Sequence, residues 1–412
     1  MKQVVRIVLF LVIVLLVLEV IKTIVVKTGA TASFFIGYVI GSLQMLTILG
    51  FIFVPFLFSW CKKRMDHAWK ARRLSVLVFI LAIGCLEWFC TMLLHNPARL
   101  PSFMKDAYTL YVDVYARSII QFESKASVYD PTLFYTLRPN ARFMFSNPEF
   151  NNQFTINRLG LRDDDSSLDK PAIVCLGDSY AMGWGVDQDS TFSQQLEKSS
   201  GKKVLNAAIS SYGTAREIMN AGRIDTSALT YLVVQYCDND FVENTRYLEN
   251  KNVLKISSQQ DYNAAVKSEA ISKCYYPGKN FLTIAQIFIK QSVNKVVPVF
   301  SLTKNEEAPD ATDSSQARSF LEVFSHAPVN FSTVKTIVLF PDKDTASSKA
   351  FERITDSLLQ VSPYRERFGG HVRMLKVSTL LQPNDYYILD PHLKSSGHRK
   401  IAQALWKMMQ TF

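Results

Sequence analysis

Cysteine is scarce in this chain. Only six of its 412 residues are cysteines, and their spacing matches neither a disulfide framework nor a zinc site. The sequence also lacks a Gly-x-Gly-x-x-Gly motif, which argues against a dinucleotide-binding turn. The acidic run Asp163–Asp165 lacks the twelve-residue pattern and terminal Glu of a calcium-binding loop. We therefore predict no cofactor and no metal ion, and we interpret the cysteines as buried free thiols.

Acidic residues are rare in the first part of the chain. Up to residue 105, twelve Lys and Arg stand against three Asp and Glu, so this part carries +9 of the chain's total charge of +10. The rest of the chain is left with a net charge of +1. Because binding to phosphates requires a clustered basic surface, we predict that nucleic acid is not a partner.

Three long apolar segments cover residues 4–26, 34–59 and 74–94. Each approaches or exceeds the roughly 20 residues that a helix needs to span a bilayer. The stretch 61–73 between the second and third segments holds six basic residues, which predicts a cytoplasmic loop. Residues 1–95 are thus predicted to form a transmembrane module of three helices, with the lipid bilayer as a partner. The N-terminus then lies in the cytoplasm, and everything after the third segment lies outside.

Two features of this module have alternative interpretations. The first segment could be a cleaved signal peptide with Ala30-Thr31-Ala32 as its cleavage site, but the long gap after Leu18 favours a retained helix. Both alternatives place the rest of the chain on the same side of the membrane. The carboxylates Glu19 and Glu87 are functional candidates wherever they lie within a membrane. Their places near the outward ends of their segments favour a structural role.

A short motif in the middle of the chain and another near its end carry the chemistry. The apolar run 172–176 has no polar residue, so it is predicted to be a buried strand of a parallel sheet. It leads into Gly-Asp-Ser-Tyr-Ala-Met-Gly-Trp-Gly-Val, which places Ser179 at the carboxyl end of that strand, where α/β domains hold their sites. A nucleophilic serine needs a base and a carboxylate that orients it. His392 and Asp390, in Asp-Pro-His, can supply both.

The order Gly-Asp-Ser at 177–179, Asn-Asp at 239–240 and Asp-x-His at 390–392 resembles the SGNH (GDSL) hydrolase superfamily, over roughly residues 130–410. The stretches 138–140 and 157–162 resemble the β-rich preface of some bacterial members. The resemblance implies an α/β fold, a three-layer flavodoxin-like sandwich around a parallel sheet. It also implies a membrane-anchored bacterial type, with the catalytic domain on the periplasmic side of the inner (cytoplasmic) membrane.

Site residues follow from the same resemblance. Ser179 matches the nucleophile, His392 the general base and Asp390 the carboxylate that orients the imidazole. The backbone N–H groups of Ser179 and Ser211 and the side-chain amide of Asn239 match the oxyanion hole. Ser211 stands where the family commonly has glycine, so Gly213 is an alternative donor.

Strands alternate with helical stretches in the remaining sequence, as expected of βαβ units. We predict a neck helix and β-rich lead-in over 96–168 and a hydrolase domain over 169–412, with an insertion at about 242–330. Ser395 or Ser396 is expected to cap the last helix, and His398 is interpreted as a surface or capping residue at its start. Further strands are expected at 204–209, 229–237, 336–340 and 374–380.

Two functions stay open. The first is a membrane-anchored serine esterase or acyltransferase that acts on O-acyl groups, acetyl above all, of an extracytoplasmic glycan or lipid. The second is a catalytically silent SGNH-fold protein that serves as a binding or assembly factor in envelope-polysaccharide processing. The presence of Ser179, Asn239, Asp390 and His392 together favours the enzyme.

Overall fold

The computed structural model of the chain describes residue 17 and residues 66–95, 119–147, 149–272, 278–285, 313–368, 370–388 and 390–411. The chain divides into two compact units. One consists of Met1–Leu94 and Tyr275–Glu306, and the other of His95–Cys274 and Glu307–Phe412. Apart from Val17, the predicted membrane segments 4–26 and 34–59 lie outside the described residues.

Helix α1 (Asp66–His95) contains the third apolar segment and the second half of the predicted cytoplasmic loop. Within the described ranges, no helix combines the length and the hydropathy needed to cross a membrane. The three-helix membrane module therefore stays a prediction.

Glu87 of α1 is buried and binds the start of a helical stretch at 279–285 in the same unit. Its two carboxylate oxygens accept the backbone N–H groups of Asn280, at 3.1 Å, and Phe281, at 2.9 Å. The side-chain amide of Asn280 donates to Thr91 Oγ1 at 2.7 Å. A carboxylate at a helix N-terminus satisfies N–H groups that lack intrahelical acceptors. These contacts agree with a structural role for Glu87.

The second unit opens with two antiparallel hairpins. Strand β1 (Ser127–Asp130) pairs with β2 (Phe134–Leu137), and β3 (Arg142–Asn147) pairs with β4 (Phe150–Thr155). Side chains of β3 alternate between buried and exposed, as a strand with one face on a core requires. Both hairpins lie within the stretch predicted to hold the β-rich lead-in.

A five-stranded parallel sheet forms the centre of this unit. Its strands are β5 (Ile173–Leu176), β6 (Val204–Asn206), β7 (Tyr231–Tyr236), β8 (Thr336–Pro341) and β9 (Val372–Met374). Their order in the sheet is β6-β5-β7-β8-β9. The predicted α/β class with a parallel sheet is confirmed, and the strand order is compatible with a flavodoxin-like sandwich.

Helices connect the strands and cover the sheet. They are α2 (Ser179–Met182), α3 (Phe192–Ser200), α4 (Thr214–Ala221), α5 (Asp240–Glu249), α6 (Gln259–Ser272), α7 (Asp313–Ser325), α8 (Ala346–Leu358), α9 (Tyr364–Phe368) and α10 (Ser395–Gln410). Helix α3 packs on α10, whereas α7 packs on α4, α5 and α8. Every residue of β5, β7 and β8 is buried, as expected of a parallel sheet with both faces covered.

Two details near the C-terminus differ from the sequence prediction. The last strand covers Val372–Met374 instead of 374–380, because Glu352 Oε1 accepts the N–H of Val377 at 3.0 Å and the chain turns into a 3-10 helix there. Capping of α10 by Ser395 or Ser396 was also wrong: no side chain caps this helix, and Ser396 Oγ donates to Asp385 Oδ1 at 2.8 Å.

His398 is buried in the contact between α10 and α3, so its interpretation as a surface or capping residue was wrong. It is 1% exposed, and its Nδ1 accepts the N–H of Phe192 at 3.2 Å. It belongs to the buried face of α10 with Ile401, Leu405 and Met409, at the spacing of a helix. Burial, with the charge of Arg162 as a smaller cause, lowers the pKa of His398 to about 3.

This buried histidine predicts a pH-dependent stability. The unfolded chain binds a proton at His398 below its ordinary pKa of 6.5, whereas the folded chain leaves it neutral down to about pH 3. Its contribution is therefore complete above pH 6.5 and is lost as the pH falls, by about 1.4 kcal/mol per pH unit. We expect the free energy of unfolding of the wild type to fall more steeply from pH 6 to 4.5 than that of His398→Gln.

The quantity to compare is the free energy of unfolding of the wild type and of His398→Gln, measured by urea denaturation of the full chain at several pH values. Burial raises the pKa of Asp163 to about 7, and its titration acts with the opposite sign in the same interval. Because Asp163 is present in both proteins, its effect cancels in the difference. Parallel stability curves would contradict a neutral, buried His398.

Candidate active site

The structure brings Ser179, His392 and Asp390 together, although 213 residues separate the first two along the chain. His392 Nε2 lies 2.7 Å from Ser179 Oγ, and His392 Nδ1 is hydrogen-bonded to Asp390 Oδ1. Ser179 begins α2 at the carboxyl end of β5, and the other two lie in the loop before α10. Their arrangement is that of a serine nucleophile, a base and an orienting carboxylate.

The turn before Ser179 requires a glycine. Gly177 has a φ of +148°, and a Cβ there would come within 2.6 Å of Ala181 Cβ and 2.7 Å of Gln235 Oε1. These distances are too short for any side chain at position 177. The backbone of Gly177 therefore packs directly against β7 and α2. Gly177 thereby lets Ser179 start its helix immediately at the sheet edge.

Backbone N–H groups around Ser179 are bound, but its own is not. Gln235 Oε1 accepts the N–H groups of Asp178, at 3.1 Å, and Ala181, at 3.2 Å, and Asp178 Oδ1 accepts that of Tyr180 at 3.0 Å. Among the described residues, no group accepts the N–H of Ser179. It is therefore available to an oxyanion, as predicted for this residue.

Hydrogen bonds to both oxygens hold the carboxylate of Asp390. Oδ1 is bound to the imidazole Nδ1 and the backbone N–H of His392, the latter at 3.1 Å. Oδ2 accepts the indole N–H of Trp184 and the side-chain amide of Asn147, each at 2.9 Å. Donors to a charged acceptor make strong hydrogen bonds and fix its orientation. Neither Asn147 nor Trp184 was among the site residues predicted from the sequence.

Two aromatic rings enclose the imidazole of His392. The Tyr180 ring centroid lies 4.5 Å from it, and the Trp184 ring stacks on it at 5.1 Å. The hydroxyl of Tyr180 donates to the backbone oxygen of Pro391 at 2.9 Å, and burial raises the pKa of this hydroxyl well above its ordinary value. The hydroxyl therefore stays a donor at neutral pH and holds the loop that carries His392.

The tip of the β3–β4 hairpin clamps the same loop. Glu149 accepts the N–H groups of Ile388, at 2.7 Å, and Asp390, at 2.9 Å. Asn147 Oδ1 accepts the N–H of Glu149 at 2.8 Å, which is the ordinary turn role of an asparagine. Its amide nitrogen points to Asp390 instead. The lead-in hairpin is thus part of the site, and the only sequence signal for this was a turn residue.

Ser211 lies in a loop that runs beside the nucleophile turn. The N–H of Ile209 donates to Gly177 O at 3.2 Å, which continues the pairing of β6 with β5. Ser211 has a φ of +60°, a left-handed conformation that favours glycine. Its hydroxyl accepts Gln121 Nε2 at 3.2 Å, and no described group accepts its N–H.

The alternative oxyanion donor, Gly213, is already bound. Its N–H donates to Glu243 Oε1 at 3.2 Å, and a Cβ on this glycine would come within 2.9 Å of the same oxygen. Because the N–H of Gly213 already has an acceptor, Ser211 is the better candidate for the oxyanion donor.

Asn239 is exposed at the N-terminal end of α5, directly after β7. Because β7 pairs with β5 in parallel, Asn239 and Ser179 follow neighbouring strands at the same sheet edge. Cys237, which directly follows β7, donates from its thiol to Asp342 Oδ2 at 3.1 Å. Burial and the charge of Asp178 raise the pKa of this thiol well above its ordinary value. Cys237 is thus a hydrogen-bond donor and not a second nucleophile.

Comparisons with known proteins found no matching family model and no matching curated protein. The resemblance to SGNH hydrolases therefore rests on the motifs and on this geometry. In the part of the chain that the structure describes, no group of three or more His, Cys, Asp or Glu side chains is placed to hold a metal ion.

Asn147 provides a test of how Asp390 is held. The change Asn147→Asp keeps the oxygen that accepts the turn N–H groups but replaces the amide donor with a like charge facing Asp390. We expect kcat for a small acetyl ester to fall by at least about tenfold, with KM unchanged, because the lost bond orients the base and does not bind substrate.

The matched control is Asn151→Asp, the same change at an exposed position on the same hairpin. It should leave kcat unaltered. Equal losses in both variants, or a loss seen only in KM, would contradict a positioning role for Asn147.

Proposed function

We propose that this chain is a serine esterase or acyltransferase of the SGNH type. The observation that carries the proposal is the hydrogen-bonded series Ser179–His392–Asp390. Asn147, from a third part of the chain, extends the series with its hydrogen bond to Asp390. Its substrates are O-acyl esters, with acetyl first, on an extracytoplasmic glycan or lipid. This substrate class rests on the family resemblance.

The first half of the reaction forms an acyl-enzyme. Ser179 Oγ attacks the ester carbonyl carbon while its proton passes to His392 Nε2, 2.7 Å away. The new oxyanion is held by the N–H groups of Ser179 and Ser211 and the amide of Asn239. When the tetrahedral intermediate collapses, the bond to the leaving oxygen breaks, and that oxygen takes the proton from Nε2.

The second half transfers the acyl group to an acceptor hydroxyl. Water or an alcohol loses its proton to His392 Nε2 as its oxygen attacks the acyl carbon, and Ser179 Oγ recovers the proton as it leaves. Ser179, His392 and Asp390 are 4%, 1% and 4% exposed, so bulk water has little access to them. Restricted water favours transfer to a bound hydroxyl over hydrolysis.

A membrane-anchored location is part of the proposal. We place the N-terminal segments in the bacterial inner membrane and the α/β unit in the periplasm, next to the envelope-polysaccharide machinery. The apolar segments 4–26 and 34–59 and the basic stretch 61–73 support this topology. In α1, the consecutive side chains of Val78, Phe79 and Ile80 are each about half exposed, which suits a lipid environment.

A fluorophosphonate probe tests the proposal, because it reacts covalently with an activated serine. We expect it to label the full-length protein, and peptide mass spectrometry should place the adduct on Ser179. Absence of labelling at this residue would favour the catalytically silent alternative.

A further inference from the structure

A cleft of about 580 Å³ opens beside the loop that carries the histidine. Residues from three segments form its walls, among them Lys343, Leu381, Tyr386, Tyr387, Ile388 and Pro391. This volume is within the range of small-molecule sites, which is roughly 300 to 1,000 Å³. Ile388 is 56% exposed, although its neighbours in the wall are aromatic or aliphatic.

The cleft adjoins the reacting groups through Pro391 and Tyr180. Pro391 lies between Asp390 and His392 in the chain and is part of the cleft wall. Tyr180 contacts the imidazole with its ring and binds Pro391 O with its hydroxyl. Lys343, which also lines the cleft, has its Nζ 5.3 Å from the centroid of the same ring. The cleft is therefore on the histidine side of the nucleophile.

Proton transfer determines which part of an ester lies on that side. His392 Nε2 must protonate the leaving oxygen, so the alcohol portion of the ester lies beside the imidazole. The carbonyl oxygen lies at the oxyanion donors, which follow β5, β6 and β7, and the acyl chain extends away from the leaving oxygen. In a glycan ester the alcohol portion is the sugar.

The walls of the cleft suit a sugar better than an acyl chain. They combine two tyrosine rings, from Tyr386 and Tyr387, with the polar groups of Lys343, Asp344 and Thr345. Aromatic faces with a few hydrogen-bonding groups match a ring that has apolar faces and a hydroxylated rim. An acyl chain would instead desolvate the charges of Lys343 and Asp344 without replacing their hydrogen bonds.

We propose that this cleft is the subsite for the sugar residue that carries the scissile ester, with Tyr386 and Ile388 against its ring and Lys343 and Asp344 bound to its hydroxyls. The inference rests on the proposed function for the direction of the ester. Binding of the sugar can be measured without turnover, so an experiment can refute the subsite without refuting the esterase function, or the reverse.

The test measures binding of 6-O-acetylglucose, 6-O-acetylgalactose and 6-O-acetyl-N-acetylglucosamine to full-length protein that carries Ser179→Ala. We expect at least one to bind, and Tyr386→Leu or Ile388→Ala to weaken it by about tenfold, since each removes a contact with the ring. The control is Val361→Ala, an aliphatic side chain that is 53% exposed and does not line the cleft.

Turnover by the protein with Ser179 intact then distinguishes a sugar subsite from a site for the acyl chain. Tyr386→Leu and Ile388→Ala should raise KM for the sugar acetate but leave the hydrolysis of ethyl acetate unchanged, since ethanol is too small to reach the cleft. A loss confined to ethyl octanoate would assign the cleft to an acyl chain and overturn the proposal. Unchanged binding in both variants, or no binding of any of the three sugars, would also overturn it. Sugar binding without turnover would leave the subsite in place and remove the proposed esterase function.

Discussion

Replacing Ser179 with alanine is expected to lower kcat for ethyl acetate hydrolysis by about 10⁶-fold. The reason is that Ser179 supplies the hydroxyl bound to the base: His392 Nε2 is 2.7 Å from Ser179 Oγ, and its Nδ1 is bound to Asp390. The residual rate would reflect the oxyanion donors alone, which do not depend on the serine hydroxyl. Initial rates of acid release in a pH-stat, at equal protein concentration, provide the measurement.

The matched control is Ser199→Ala, because Ser199 is an exposed serine on α3 whose hydroxyl donates to Leu196 O of the same helix. It should retain the wild-type rate. Thermal unfolding midpoints of the two variants should agree with that of the wild type to within a few degrees. Retention of turnover in Ser179→Ala would refute the triad, whatever the identity of the substrate.

Asp390→Asn is expected to lower kcat by about 10⁴-fold, because the carboxamide favours the wrong imidazole tautomer. The carboxylate accepts two donors on each oxygen: His392 twice on Oδ1, and Trp184 and Asn147 on Oδ2. A carboxamide has one oxygen, so in either orientation its NH₂ group faces two other donors. The buried site then loses hydrogen bonds as well as the charge that stabilises the protonated imidazole, at a cost of about 1–3 kcal/mol in unfolding free energy.

Because this variant is also expected to be less stable, a second carboxylate in the same loop separates the two effects. Asp385 is buried, and its carboxylate binds Lys400 at 2.7 Å and Ser396 at 2.8 Å. Asp385→Asn should lower the unfolding midpoint but leave kcat near the wild-type value. If both variants lose kcat in proportion to their loss of stability, Asp390 has only a structural role.

Much of the fold could be predicted because its signals are local. The uninterrupted apolar runs that became β5, β7 and β8 are each buried along their full length. Their alternation with helical stretches predicted a parallel sheet, and the structure confirms it. The strand boundary at β9 was wrong because Glu352, from a helix about 25 residues earlier, takes the N–H of Val377. A contact of this kind leaves no trace in the strand's own residues.

The residues that surround the triad were harder to predict, since they depend on contacts between distant parts of the chain. Asn147 and Asp390 are 243 residues apart, and an asparagine before proline ordinarily signals a turn. Trp184 lay within the serine motif, but its indole could not be assigned to Asp390 before the loop was placed. His398 could have been recognised as buried, because it shares a helical period with Ile401 and Leu405.

The sequence by itself determined the parallel α/β class and the residues chosen for the triad. The reason is that buried strands and the Gly-Asp-Ser and Asp-Pro-His motifs can be recognised from residues that are adjacent in the chain. Only the tertiary structure decided that Asn147, Glu149 and Trp184 hold Asp390 and its loop, and that Gly213 is engaged by Glu243. The physical reason is that hydrogen bonds are short and directional, so a donor can be assigned to an acceptor only after both backbones have been placed.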